Sequence, residues 1–176
     1  MIYTLSEEDY EAARALGVLR NRWNVRKDHR NTNNFDGDII TDGDAIHALA
    51  AGAEFAFARV SGLLRNEKFS LRKEPSVGDF FVRVTKHVGG HLLVQPEDPD
   101  DALVVFAVSL DGRTFDFRGW LRFSAGKTGA NWRRGQDRRP DRPAYWVRQR
   151  DLQPLHLIGI GAVPPASPPP PPPAIW

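Results

Sequence analysis

Apolar positions at Tyr10, Ala13, Leu16 and Val18 or Leu19 recur at helical spacing behind the segment Thr4-Leu-Ser-Glu-Glu-Asp9. A hydroxyl there can cap the first free amides, and the acidic residues suit the positive end of a helix. The pattern predicts a helix over about Glu7 to Leu19. Asn21 to Asp44 is rich in Asn, Asp, Arg and Gly and reads as a long polar loop. A second helix follows from Ala45 to Arg59, capped by Asp42 or Asp44, and its Ala and Gly content predicts close packing and burial on most sides. From Val77 onward the period changes. β-Branched and aromatic runs at Phe80 to Thr85, Leu92 to Gln95, Leu103 to Val108, Phe115 to Phe123 and Tyr145 to Val147 predict about five strands. Gly89-Gly90 and Asp111-Gly112 read as hairpin turns, and Pro96 to Asp101 as a polar loop. Two helices followed by a hairpin-rich sheet place the chain in the α/β (α+β) class.

After Leu157 the chain runs into Pro164, Pro165 and the six consecutive prolines of 168–173. Proline fixes φ and offers no amide donor, so this stretch is expected to be polyproline II or disordered, outside the core. The expected organisation is one domain over residues 1–157 and a proline-rich tail over 158–176. A length of 176 residues with 41% hydrophobic content supports one real core. The absence of cysteine rules out disulfides, thiolate metal sites and thiol redox chemistry. No apolar run approaches a bilayer span, and the N-terminus lacks the basic-then-apolar order of a signal peptide, so a soluble cytoplasmic protein is expected.

Net charge is only +2, from 24 basic and 22 acidic residues, so attraction to nucleic acid requires an uneven distribution. The distribution is uneven. Arg133, Arg134, Arg138, Arg139 and Arg142 cluster ahead of Arg148 and Arg150, flanked by Trp132, Tyr145 and Trp146. Guanidinium groups fork phosphates and planar rings stack on bases, although such a run also occurs as an ordinary solvated loop. Glu54 stands out for another reason: it is a carboxylate inside the small-residue stretch Ala48 to Ala58, where burial is costly without a partner or a purpose. The five histidines show no metal-ligand spacing, and neither Gly89-Gly90 nor Gly159-Ile-Gly161 has the context of a phosphate-binding loop.

Gly52-Ala-Glu-Phe-Ala-Phe-Ala-Arg59, Pro75-Ser-Val-Gly78, Val82-Arg-Val-Thr85, Phe117-Arg-Gly-Trp-Leu-Arg122 and Ala144-Tyr-Trp-Val-Arg-Gln149 occur in an order that resembles the PD-(D/E)XK nuclease-like superfamily, in particular its small phage-encoded members. The resemblance implies a restriction-endonuclease-like mixed central sheet flanked by helices, DNA as partner, and Mg2+ as cofactor. It puts Glu54 at the helix carboxylate, Ser76 at the metal-binding Asp, Phe81 at the Glu or Gln, and Arg83 at the basic position. Phenylalanine cannot hold a hard cation. One compensation is a migrated site, with Glu54 and Asp79 on the metal and Arg83 offsetting phosphate charge, open if the strand already starts at Asp79, since Asp79, Phe81 and Arg83 would then share a strand face by alternation. The competing reading makes Asp79 a turn residue after Gly78. Two functions follow: a weak Mg2+-dependent nuclease or non-catalytic DNA-binding protein, or a protein-interaction module using the proline tail or a sheet edge over a vestigial site.

Overall fold

The computed structural model describes residues 1–26, 43–67, 74–133 and 143–159. In chain order the elements are strand β1 (Ile2–Thr4), helices α1 (Glu7–Arg26) and α2 (Gly43–Ser61), strands β2 (Phe80–Thr85), β3 (Leu92–Val94), β4 (Leu103–Val108) and β5 (Thr114–Arg122), the short helix α3 (Phe123–Gly126), and strands β6 (Trp132–Arg133) and β7 (Ala144–Val147). The α+β class expected from the pattern is present. The proline tail lies outside the described residues beyond Gly159.

Helix α1 begins where the cap was expected, with the Ser6 hydroxyl accepting the Asp9 amide at 3.1 Å. It runs on to Arg26, one and a half turns or more past the expected stop at Leu19. The extension has a clear cause. Asn21 and Asn24 read as loop residues, but together with Arg20 they bond across to Glu54, Asp44 and His47 of α2. Polar side chains on the inner face hid the helical period. Gly17 lets the two helices touch, because a β-carbon there would sit 2.3 Å from the Ala48 nitrogen.

The larger sheet has the order β1-β5-β4-β2, with β2 parallel to β4 and the other pairs antiparallel. The smaller sheet has the order β3-β7-β6 and is antiparallel. Two apolar cores divide the larger sheet's faces. On one face Phe57 of α2 packs with Phe80, Val105, Ala107, Phe115 and Phe117. On the other, Phe81, Val104, Phe106 and Leu121 pack with Leu92, Val94 and Val147 of the small sheet. The layers are therefore a helical hairpin, a four-stranded mixed sheet and a three-stranded sheet. Strand β4, in the middle layer, is buried along both faces from Val104 to Val108, as an interior strand should be.

Two expectations change here. The mixed sheet is present, but α1 and α2 cover only one of its faces, and the small sheet with Phe123 of the short helix α3 covers the other among the described residues. Nor does Gly89-Gly90 close a hairpin. The turn is real, with the Gly90 amide bonded to the His87 carbonyl at 2.9 Å, but β2 pairs with β4 and β3 with β7, so the turn hands the chain from one layer to the next. Asp111-Gly112 does join a hairpin, β4 to β5, with Gly112 at φ 75°.

Strand β5 serves both cores because of a bulge. Phe106 pairs with Gly119 and Ala107 with Phe117, leaving Arg118 unpaired in the ladder. Phe115 and Phe117 then face the helices while Leu121 faces the small sheet. Gly119 takes φ 151°, and a β-carbon there would lie 2.6 Å from the Gln153 carbonyl oxygen, which accepts the Trp120 amide. Strands β1 and β6 were absent from the sequence pattern because residues 2–4 and 132–133 are too few to show a period.

Candidate functional site

Glu54 sits on α2 with only 5% of its surface exposed, deep in the helical layer. Arg20 of α1 donates to both carboxylate oxygens, Nη1 to Oε1 at 3.0 Å and Nη2 to Oε2 at 2.8 Å. Burial pushes the Glu54 carboxyl above its ordinary range, and the Arg20 hydrogen bonds and charge work in the opposite direction. Arg20 Nε has no hydrogen-bond partner among the described residues. A second interhelical pair, Arg59 with Asp9, lies nearer the start of α1 and is half open to solvent on the arginine side.

Ser76 is buried just before β2, where its hydroxyl accepts the Val82 amide at 3.1 Å and fixes the strand's entry. Asp79 is exposed in the turn that the Phe80 amide closes onto the Val77 carbonyl at 2.9 Å. Phe81 is buried on the small-sheet side, edge-on to Phe123 with ring centroids 5.3 Å apart. Arg83 points the same way, its guanidinium 5.2 Å from the Phe123 ring centroid. It donates to Asp98 at 2.6 Å and to the Leu93 carbonyl. Burial lowers the Arg83 pKa, with Asp98 opposing that shift.

Asp98 has its own structural work, accepting the Gln95 amide at 2.7 Å. Lys127 reaches the same loop, donating to the carbonyls of Pro96 and Asp98 and to the Asp100 carboxylate. Arg83, Asp98 and Lys127 together pin the segment between β3 and β4.

The structure thus separates the expected site residues. Glu54 belongs to the helical side of the large sheet, and Phe81 and Arg83 to the opposite side. These positions do not fit Mg2+: Glu54 is buried against Arg20, Phe81 supplies no oxygen, and Asp79 lies in an exposed turn away from Glu54's helix. Among the described residues no cluster of three or more His, Cys, Asp or Glu side chains is placed to hold a metal. Sequence reasoning missed Arg20 and Asp98. For Arg20 a signal existed, since Ala13, Gly17, Arg20 and Asn24 recur at helical spacing. Asp98 had none, because its partner lies 15 residues away in the chain.

Of the expected nucleic-acid residues, Arg134, Arg138, Arg139 and Arg142 lie outside the described residues. Trp132 is half-buried on β6, its ring 4.8 Å from that of Tyr145. Arg133 is exposed, its guanidinium bonded to the Ala130 and Trp132 carbonyls. Arg148 and Arg150 are exposed around Asp151. Among the described residues no helix is long and apolar enough to cross a membrane. Comparison of the chain with protein-family models, with curated proteins and with solved structures gave no match.

Proposed function

We propose that the protein binds DNA without cutting it, as a PD-(D/E)XK-like domain whose site residues have been turned to structural use. One observation carries this reading. Glu54 and Arg83, which a nuclease would bring together on one phosphodiester, are each closed into an ion pair with a different partner on opposite faces of the sheet. A phosphodiester cleaved through a metal needs a carboxylate that the metal can reach, whereas Glu54 is 5% exposed and each of its oxygens accepts a hydrogen bond from Arg20. Binding is supported by Arg133 and the aromatic rings that β6 and β7 carry, with exposed Arg148 just beyond β7, on the far side of the large sheet from α1 and α2.

The test is a titration of labelled DNA with the full chain in chelator at low salt, then with added Mg2+ or Mn2+. Expected are saturable binding whose affinity drops steeply as salt rises, a weaker salt slope for Arg133→Ala, and intact DNA after incubation with either metal. Metal-dependent cleavage that tracks the protein through purification and is lost in Asp79→Ala would restore the migrated site. No binding at about 50 mM salt would remove the nucleic-acid reading altogether.

A further inference from the structure

The parallel strands β2 and β4 end side by side, and their carboxyl ends face a hollow that neither core fills. Thr85 pairs with Val108, and the Ser109 amide donates to the Thr85 carbonyl at 2.9 Å, so Lys86 and the turn beginning at Ser109 leave the sheet together. Parallel α/β sheets bind their ligands in crevices at this edge. Helices α1 and α2 form the opposite wall. They touch where a β-carbon at Gly17 would lie 2.3 Å from the Ala48 nitrogen, and the side chains they present beside that contact, Ala13 and Ala48, are small. A cavity of about 180 Å³ is left, floored by these alanines and Leu49.

Its rim is cationic. Lys86 is exposed and has neither an ion pair nor a hydrogen bond among the described residues. Arg14 lies 5.8 Å from the Tyr10 ring centroid and pairs with Glu11, but both charged side chains are more than half exposed, at 58% and 56%, so that pairing exchanges readily. Asp111 also reaches the rim. Its Oδ1 is held by its own turn, accepting the Arg113 and Thr114 amides at 2.9 and 2.7 Å. That rigid turn presents Leu110 at the cavity with 67% of its surface exposed.

We propose that this cavity binds a small organic monoanion, an aromatic carboxylate of about benzoate size, independently of the nucleic-acid reading above. An aliphatic cavity of about 150 Å³ takes up benzene, so the 180 Å³ here holds a ring and leaves its carboxylate at the rim. The alanines, Leu49 and Leu110 meet the ring, and Arg14 and Lys86 meet the acid. Two cations and the Asp111 carboxylate leave one positive charge, which a monoanion neutralises. A second negative charge on the ligand would face Asp111. Inorganic phosphate satisfies the rim but leaves the apolar floor wet, and a neutral ring does the reverse, so tight binding needs both halves in one molecule.

The experiment is a titration of the full-length, nitrogen-15-labelled chain, followed by amide NMR at fixed ionic strength, with sodium benzoate, benzyl alcohol and inorganic phosphate. Benzoate is expected to bind saturably with a Kd of about 1 mM, shifting the amides of Ala13, Ala48 and Gly112 most. Benzyl alcohol is expected to bind about tenfold more weakly, and phosphate to leave those amides in place. Lys86→Gln and Arg14→Gln, both at exposed positions and each checked for an unchanged melting temperature, are expected to weaken benzoate binding about threefold to thirtyfold. No saturation by about 50 mM benzoate overturns the site, as does benzyl alcohol binding equally well or an affinity that neither substitution changes. Shifts centred on the arginine-rich segment instead of the helical seam also overturn it, since the carboxylate is then held by surface charge alone.

Discussion

The two arginine-carboxylate pairs on either side of the large sheet look alike but are held differently. Arg20 and Glu54 join α1 to α2, side chain to side chain, with 7% and 6% of their side chains exposed. Arg83 and Asp98 join β2 to a loop, with 27% of the arginine exposed, and each partner also bonds backbone: Arg83 the Leu93 carbonyl, Asp98 the Gln95 amide. The first pair depends almost wholly on its two members for compensation. The second is cross-linked to its surroundings and can lose one contact without isolating a charge. Two similar pairs should therefore differ sharply in what their loss costs.

The largest effect is expected from Glu54→Ala. It leaves the Arg20 guanidinium buried, already short of a partner at Nε, and removes both of its carboxylate bonds. A cost of about 3–5 kcal/mol in urea unfolding is expected, with protection from hydrogen exchange lost first in α1 and α2. The double change Arg20→Met with Glu54→Leu removes the desolvation of both charges at similar volume, and is expected to recover most or all of that loss. A double variant as unstable as Glu54→Ala alone would mean that the helices need this pair for more than charge compensation.

Asp98→Ala comes next, at about 1.5–3 kcal/mol, the range for a hydrogen bond to a charged group. Arg83 keeps the Leu93 carbonyl, the Phe123 ring face and some contact with water. Exchange is expected to quicken in residues 95–101 while α1 and α2 stay protected, the reverse of the Glu54→Ala pattern. Asp98→Asn, which retains an acceptor for the Gln95 amide, should cost less than Asp98→Ala. Equal global loss from Asp98→Ala and Glu54→Ala would erase the distinction between a sealed pair and a cross-linked one.

The same contrast explains what could be read from the chain. Strands β2, β4 and β5 were legible because their β-branched and aromatic runs are local signals, and α2 because small residues mark a buried helix. The end of α1 was not legible, since Arg20, Asn21 and Asn24 carry loop chemistry in a helical position, and only their partners on α2 reveal why. The split of the strands into two sheets was hidden for a similar reason. The Gly119 bulge reverses the facing of β5 halfway along, so regular alternation assigns Phe117 and Leu121 to one core when they belong to two. At the candidate site, the odd placement of Glu54 was visible, but its partner was 34 residues away. The sequence marks a carboxylate that needs compensation; it does not say whether a cation or an arginine supplies it.

The smallest effect tests the helical side by pH. His47 of α2 lies 3.0 Å from the Asn24 amide nitrogen, a donor that suits an unprotonated ring. Burial lowers the His47 pKa below its ordinary value of 6.5; nearby Arg20 adds to the shift, and Asp44 opposes it. The unfolded chain, with the ordinary value, therefore takes up the proton first as pH falls. This contribution to stability is complete above about pH 6.5 and is lost on acidification from there toward the lower folded value. Thermal unfolding from pH 7.5 to 5.5, values chosen to bracket about one unit either side of the free imidazole, should show a decline that is shallower in His47→Gln. Hydrogen exchange at the lower pH should report the loosening in α1 near Asn24 and leave the loop held by Arg83 and Asp98 unchanged, because His47 meets Asn24 on the helical side of the large sheet and that loop lies on the other. Identical pH profiles for the native chain and His47→Gln would show that protonation of this ring is no cost to the fold, and that the interhelical seam holds through its other pairs, Arg20 with Glu54, Arg59 with Asp9 and Asn21 with Asp44.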